Sequence, residues 1–119
     1  MAKLLTDAMI DGGLDKVATC IRFSICAGQP TSYADIAART LATKAITSGA
    51  FTKANGDTSG RKVTIAAQTD VSISSTGTGD HVVIDDGADY VATTCASQAL
   101  TSGGTVSTNG FDLEISDPA

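Results

Sequence analysis

The chain is predicted to be mainly β, an antiparallel β-sandwich with an N-terminal helix. Short segments of alternating apolar and polar residues recur along most of its 119 residues, with turn signals between them. Only residues 5–18 have sustained helical spacing. A chain of this length is expected to fold as one domain, 1–119, with the helix at 5–18, the sandwich at 19–116 and a short tail at 117–119.

The N-terminal helix is predicted from apolar residues that lie on one side of a helical turn pattern. Thr6 or Asp7 can cap it. Gly12 and Gly13 in its middle each disfavour the helix by about 1 kcal/mol relative to alanine. The helix is therefore either interrupted there or packed closely against another backbone, and we favour close packing. The apolar residues are Leu5, Met9, Ile10, Leu14 and Val17.

The segments that follow the helix alternate between strand and helix patterns. Residues 19–26 read as a strand that places two sets of side chains on opposite faces. The turn Gly28-Gln29-Pro30 ends it, residues 31–39 predict a short helix, and residues 40–47 predict a second strand. One face of the first strand carries Ile21, Phe23 and Ile25, and the other carries Cys20, Arg22, Ser24 and Cys26.

Beyond residue 50 the pattern is consistently β. It first predicts a tight turn at 55–60, then strands within 63–73 that bend at 68–70, and then a loop at 75–80. A hairpin follows, in which strands at 81–84 and 90–96 flank a turn at 85–89. A turn at 102–104 precedes a strand at 105–107, and in the last strand Phe111, Leu113 and Ile115 alternate with polar residues.

Charge is divided unevenly along the sequence. All eight Lys and Arg residues lie within positions 1–62, which carry a net +3, and the remainder carries −8, for a total of −5. Such a division suits contacts between subunits if it produces a basic and an acidic end. We therefore expect a neighbouring subunit to meet either the apolar face of the 5–18 helix or the loop around Arg61 and Lys62.

Composition argues against several classes of protein. The isoelectric point of about 4.4 disfavours nucleic-acid binding, and no apolar run has the length of a membrane span. The N-terminus does not read as a secretory signal, so synthesis in a reducing cytoplasm is expected. Cys20, Cys26 and Cys95 are accordingly expected to be buried thiols, with a Cys20–Cys95 or Cys26–Cys95 disulfide as the alternative.

No residue qualifies as catalytic, cofactor-binding or metal-ligating. His81 is the only histidine and has no nucleophile motif near it, so a structural role is expected. The segment Gly56–Lys62 lacks the spacing of a phosphate-binding loop and reads as a turn that enters a strand. Four carboxylates between positions 80 and 89 leave a calcium site open, although the order of an EF-hand is absent. These are Asp80, Asp85, Asp86 and Asp89.

Several segments together resemble a family of small proteins encoded by tailed bacteriophages and prophages. They are PTSYADI, LATK, GDTSGRKVT, GDHVVIDDGADYVATTCASQALTSGGTVS and FDLEISDP, and the resemblance covers most of the chain. Members of the family lie among virion structural genes and generally have no assigned activity. The resemblance therefore implies a virion structural protein that is made in the host cytoplasm, and it implies no site residues.

Together, the residues and the resemblance predict a non-enzymatic phage virion protein, most simply one that decorates or cements the capsid. Its partners are then other phage structural proteins and copies of itself, without nucleic acid, membrane or cofactor. One alternative is a tail or neck component, such as a connector subunit or part of a fibre base. Another is a carbohydrate- or cation-binding β-sandwich module that uses the loop at 80–89.

Overall fold

A computed structural model describes residues 6–57 and 59–115, which form two antiparallel sheets and two helices. The helices are α1 (Asp7–Val17) and α2 (Tyr33–Arg39), and a short 3-10 turn spans Ser48–Ala50. The predicted class, mainly β with antiparallel sheets and a helix near the N-terminus, is confirmed. The strands are β1 (Arg22–Cys26), β2 (Thr40–Ala45), β3 (Phe51–Asn55), β4 (Arg61–Ile65), β5 (Gln68–Ile73), β6 (Gly77–Asp85), β7 (Tyr90–Leu100), β8 (Thr105–Thr108) and β9 (Phe111–Ile115).

The two sheets share one hydrophobic core. Six strands form the larger sheet in the order β7-β6-β1-β2-β5-β8, and three form the smaller sheet in the order β3-β4-β9. The larger sheet curls into a half-barrel. Phe23 and Ile25 of the larger sheet and Val63 and Ile65 of the smaller one belong to the same buried cluster. Because each sheet has one apolar face, packing the two together removes both faces from water.

Helix α1 is continuous through its two glycines and closes one end of this core. Ile10 and Leu14 are 2% and 1% exposed, so the chain itself covers this part of the apolar face, whereas Met9 is 69% exposed. A contact of this helix with a neighbouring subunit stays a prediction. A side chain at Gly13 would lie 3.3 Å from Ile115 Cδ1, whereas one at Gly12 would meet nothing within 4 Å. The predicted close packing against another backbone is therefore wrong at both glycines, because the neighbour found at Gly13 is the end of a side chain.

The start of α1 agrees with the prediction only in position. Thr6 occupies the N-cap with extended backbone, but its side chain makes no capping hydrogen bond. Leu5, the Asp7 side chain and the predicted tail at 117–119 lie outside the described part of the structure, so the predictions made for them stay open.

Strand β1 is buried on both faces because helix α2 covers the side opposite the main core. Ser24 and Cys26 are fully buried, and Cys26 packs with Ile36 of α2 and Val83 of β6. Helix α2 begins at Tyr33, and Ser32 caps it by accepting a hydrogen bond from the backbone N–H of Asp35 at 3.2 Å. The short helix at 31–39 and the strand within 40–47 are confirmed.

The loop predicted at residues 75–80 is wrong, because β6 already begins at Gly77. Its glycines serve close packing rather than a turn. A side chain at Gly79 would lie 2.6 Å from Ile25 Cγ2, and one at Gly77 would lie 3.1 Å from Leu41 Cδ2. Glycine is therefore the residue that lets this part of β6 lie against its neighbours.

The remaining β elements follow the sequence pattern closely. The 63–73 segment divides into two strands that enter different sheets, and the break falls at residues 66–67, just before the predicted bend. Asp70 has a φ of 54°, which marks the irregularity between β5 and β8. The hairpin around 85–89 pairs Asp85 with Tyr90, and Gly87 at its turn has a φ of 97°. The strands at 105–107 and 111–115 are confirmed.

Candidate functional site

The four carboxylates between positions 80 and 89 have different partners, except that Asp86 and Asp89 share Lys16 at 2.6 and 3.5 Å. Asp80 accepts a hydrogen bond from Gly28 N at 2.7 Å. Asp86 forms an ion pair with Lys16 at 2.6 Å and accepts hydrogen bonds from two backbone N–H groups in its own turn. The contact with Lys16 is the main reason that the pKa of Asp86 is lowered, and the hydrogen bonds from these N–H groups lower it further. Residues 6–57 and 59–115 contain no cluster of three or more metal-ligating side chains.

His81 lies in β6 and contacts its neighbour Asp80. His81 Nδ1 is 2.8 Å from Asp80 Oδ1, and the imidazole side chain is 14% exposed. The His81 contact, followed by the Gly28 N–H, lowers the pKa of Asp80. The pair thus joins the loop after β1 to β6, which is a fold-stabilising geometry. The structural role that the sequence predicts for His81 stays a prediction.

The division of charge along the sequence disappears in the folded chain, because basic residues of the first half pair with acids of both halves. Lys16 contacts Asp86, and Lys62 lies 3.4 Å from Asp112. Arg61 lies 3.0 Å from Asp11 of α1. Arg61 and Lys62 are therefore held by their own chain. The prediction that the loop around these two residues meets a neighbouring subunit stays a prediction.

The segment Gly56–Lys62 forms a tight turn that enters β4 at Arg61, in agreement with the prediction. The N–H of Gly56 donates to Gly60 O at 2.9 Å, and Gly60 has a φ of 71°. A side chain at Gly56 would lie 2.0 Å from Ser59 O. Glycine is required there by the turn itself, so its presence says nothing about phosphate binding.

All three cysteines are free thiols, and one of them is exposed. Cys20 and Cys26 are buried, and burial is the main reason that the pKa of Cys20 rises to about 11. Cys95 lies in β7 and is exposed, so the expectation of three buried thiols is wrong at that position. The alternative Cys20–Cys95 and Cys26–Cys95 disulfides are not formed.

The surface that stands out is a groove between the two outer strands of the larger sheet. It has a volume of about 710 Å³ and is lined by residues of β7 and β8 together with Ile25 of β1 and Val82 of β6. Apolar side chains of Ile25, Val82 and Leu100 line it together with the hydroxyl-rich walls. Thr108 Oγ1 is buried beside it and has no hydrogen-bond partner among the described residues. The groove combines apolar area with an unsatisfied polar atom.

The edges on either side of the groove carry no charged side chain. The two edge strands of the smaller sheet do carry charges, at Lys53 in β3 and at Asp112 and Glu114 in β9. Proteins commonly protect exposed strand edges with charges, proline or bulges. Strands β7 and β8 have neither charges nor proline, and a bulge interrupts β7 only at residues 95–97, opposite Asp80. The edges beside the groove are therefore open to another strand.

The sequence reasoning missed this groove, although a signal for it is present. Residues 90–111 contain no charged residue at all, and they include both edge strands and the turn that joins them. An uncharged stretch is compatible with a buried hairpin, so the stretch alone does not indicate an edge. Only the strand order shows that β7 and β8 lie at opposite borders of one sheet.

Comparisons with known proteins add no family to this geometry. No helix among the described residues is long and apolar enough to cross a membrane. No protein-family model, curated protein or solved structure matches the chain. The phage resemblance therefore rests on the sequence segments quoted above.

Proposed function

We propose that this chain is a non-enzymatic structural protein of a phage particle, whose main role is to decorate or cement the capsid shell. The observation that carries the proposal is the groove between β7 and β8, bordered by two strand edges without charge or proline. The resemblance to proteins from virion structural genes supports the same role. A shell accessory protein needs a surface for neighbouring subunits and no catalytic centre.

The groove suits assembly by addition of a strand. Each edge strand leaves a row of backbone N–H and C=O groups unpaired on its outer side, and an incoming extended segment can pair with them. The apolar lining adds burial to these backbone bonds, because Val106 and Phe111, which line the groove and are only partly buried, lose contact with water when the groove is filled. The incoming segment can also supply a partner for Thr108 Oγ1.

We assign the incoming segment to a neighbouring copy of this chain. One chain carries two uncharged edges at opposite borders of its sheet, so copies that pair edge to edge form a closed ring or an extended array. No like charges oppose each other in such a contact, since residues 90–111 are neutral throughout.

The first test is quantitative mass spectrometry of gradient-purified particles, with the portal ring as the counting standard. We expect this chain in hundreds of copies per particle, as a shell coat requires. About a dozen copies, the number expected of a ring, would instead assign it to the neck or tail. Absence from the particles would refute a structural role of either kind.

The second test introduces a charge at the edge of the groove. Thr94 is exposed in β7 and lines the groove, and Thr52 is exposed in β3, an edge strand of the other sheet. We expect Thr94→Lys to abolish self-association in light-scattering measurements and to lower occupancy on particles. The matched variant Thr52→Lys should change neither. Both should keep the wild-type Tm, because both positions are exposed.

The outcome that contradicts the groove assignment is specific. If Thr94→Lys assembles and attaches to particles like the wild type, the groove is not the contact surface. The mass-spectrometric count tests the structural role separately, so either conclusion can fail without the other.

A further inference from the structure

A cleft on the opposite face of the larger sheet contains a buried carboxylate whose hydrogen bonding is incomplete. The cleft lies between helix α2, the strand pair β1–β2 and the segment after β5, and has a volume of about 720 Å³. Ligand sites for small molecules commonly measure about 300–1,000 Å³. Hydroxyl side chains line it on several sides, and Asp85 lies among them. The hydroxyl residues are Ser24, Thr40, Thr43, Ser74 and Ser75.

The topology explains why these residues meet. Arg22 and Ser24 alternate with the core residues of β1, so they lie on the face that looks away from the smaller sheet. Asp85 is the register partner of Arg22 on the neighbouring strand β6. Helix α2 contacts part of this face, through Ile36 and Tyr33. The remainder stays open as the cleft.

Asp85 is completely buried, and its two carboxylate oxygens differ in their hydrogen bonding. Oδ1 accepts hydrogen bonds from Gly87 N at 3.1 Å and from the Tyr33 hydroxyl at 3.5 Å. Oδ2 has no hydrogen-bond partner among the described residues. Arg22 Nε is 3.8 Å from it, close enough to balance charge but too far for a hydrogen bond. A buried carboxylate oxygen without a donor is unfavourable, and a donor from outside the chain removes that disadvantage.

The surroundings of Asp85 define the kind of donor that fits. Arg22 already balances the negative charge, so a cationic ligand meets a like charge and an anionic ligand meets Asp85. A neutral molecule avoids both. Three of the hydroxyls in the walls already donate to backbone carbonyls and so can accept from a ligand, namely those of Thr40, Thr43 and Ser74. Ile36 and Ala37 add apolar area on one side. These properties match a neutral sugar, which presents many hydroxyls around weakly apolar ring faces.

We infer that this cleft binds a neutral mono- or disaccharide, with one sugar hydroxyl donating to Asp85 Oδ2. The inference does not depend on the assembly role. Ser24 and Ile25 are adjacent in β1 and therefore project from opposite faces of the sheet, and Ser24 lines the cleft whereas Ile25 lines the groove. Sugar binding and assembly therefore use different surfaces.

The test is a titration of the full chain, followed by ¹H–¹⁵N NMR, with glucose, galactose, mannose, N-acetylglucosamine and maltose. Each sugar is taken to about 50 mM, at which a Kd of a few millimolar gives high occupancy. We expect at least one sugar to shift the amide signals of Tyr33, Ser75 and Gly87. Signals of the groove residues should stay in place.

Two pairs of variants separate binding from folding. Asp85→Asn should weaken the binding sugar at least tenfold, and Asp57→Asn, which removes an exposed carboxylate elsewhere, should not. If Asp85→Asn fails to fold, Ala37→Trp replaces it. Ala37 is exposed on α2 and lines the cleft, so the larger side chain fills the cleft without disturbing the core, while Ala38→Trp on the same helix lies outside it.

Two results would overturn the inference. The first is the absence of cleft shifts with all five sugars, which assigns the partner of Asp85 Oδ2 to bound water. The second is a sugar that binds equally well to Ala37→Trp and Ala38→Trp, which places its site elsewhere.

Discussion

Replacement of Gly12 by alanine tests whether α1 is a regular helix with an open outer face. Gly12 lies inside the helix, and a side chain built there meets nothing within 4 Å. Alanine is favoured over glycine in a helix interior by about 0.8–1.0 kcal/mol, and no clash opposes that gain. For 119 residues the unfolding entropy is about 250 cal/mol/K, so about 1 kcal/mol raises the Tm by about 4 °C.

The same substitution at two other glycines provides the controls. Gly13→Ala places its methyl group 3.3 Å from Ile115 Cδ1, the mobile end of a side chain that is 38% exposed, so we expect a smaller gain. Gly56→Ala forces its methyl group to within 2.0 Å of Ser59 O and should lower the Tm.

Thermal unfolding followed by circular dichroism at neutral pH measures all three variants. A Tm for Gly12→Ala at or below that of the wild type would refute the reasoning, because it would show that this position is not helical or not open. If Gly12→Ala gains stability but loses attachment to particles, a partner backbone contacts the outer face of α1.

Two further predictions concern titratable groups. Lys16, followed by turn N–H groups, lowers the pKa of Asp86 in the folded state, so its stabilising contribution is present above the unfolded value of about 3.9 and is lost as the pH falls through and below it. Lys16→Met should therefore flatten the fall in Tm between about pH 5 and 2, and an unchanged slope would contradict the ion pair. A thiol-reactive dye should modify Cys95 rapidly, whereas Cys20 and Cys26 should react only after denaturation because they are buried. Rapid modification of all three cysteines in the folded protein would contradict the described core.

The strands that the sequence predicts best are those with one wet and one dry face. The alternation of apolar and polar residues at Phe111–Ile115 predicts β9 directly, because successive side chains of a strand point to opposite faces of the sheet. The same kind of alternation predicts burial poorly at β1, because Ser24 and Cys26 are polar or small and yet are buried. The burial of Cys26 depends on helix α2, the next element in the chain, which packs on that face of the sheet. The alternation of residues within β1 carries no information on whether a helix covers the second face of the strand.

Glycine was ambiguous for a similar reason. At Gly56, Gly60 and Gly87 it marks turns, as predicted, because the backbone there is tightly bent or has positive φ. At Gly79 it marks close packing against Ile25 within a strand. The same residue type answers both needs, and only the partner across the sheet distinguishes them.

The candidate surfaces were the least predictable part. The charge division suggested two ends, but pairs such as Lys16–Asp86 neutralise it across the fold. The groove and the cleft both arise from residues brought together by strand order. Asp85 was identified in the sequence as one of four clustered acids, yet its distinguishing property is burial, which the cluster does not reveal.

The position of β9 has a consequence for the order in which the chain folds. Hairpins β3–β4 and β6–β7 pair neighbouring segments, so each can form soon after its residues are synthesised. Strand β4 obtains its second partner only when β9 emerges, near the end of the described chain. Until then the edge of β4 that β9 later covers is free, and the nascent chain passes through a stage that favours association with other chains. A protein whose mature surface offers open strand edges thus exposes one more of them while it is being made.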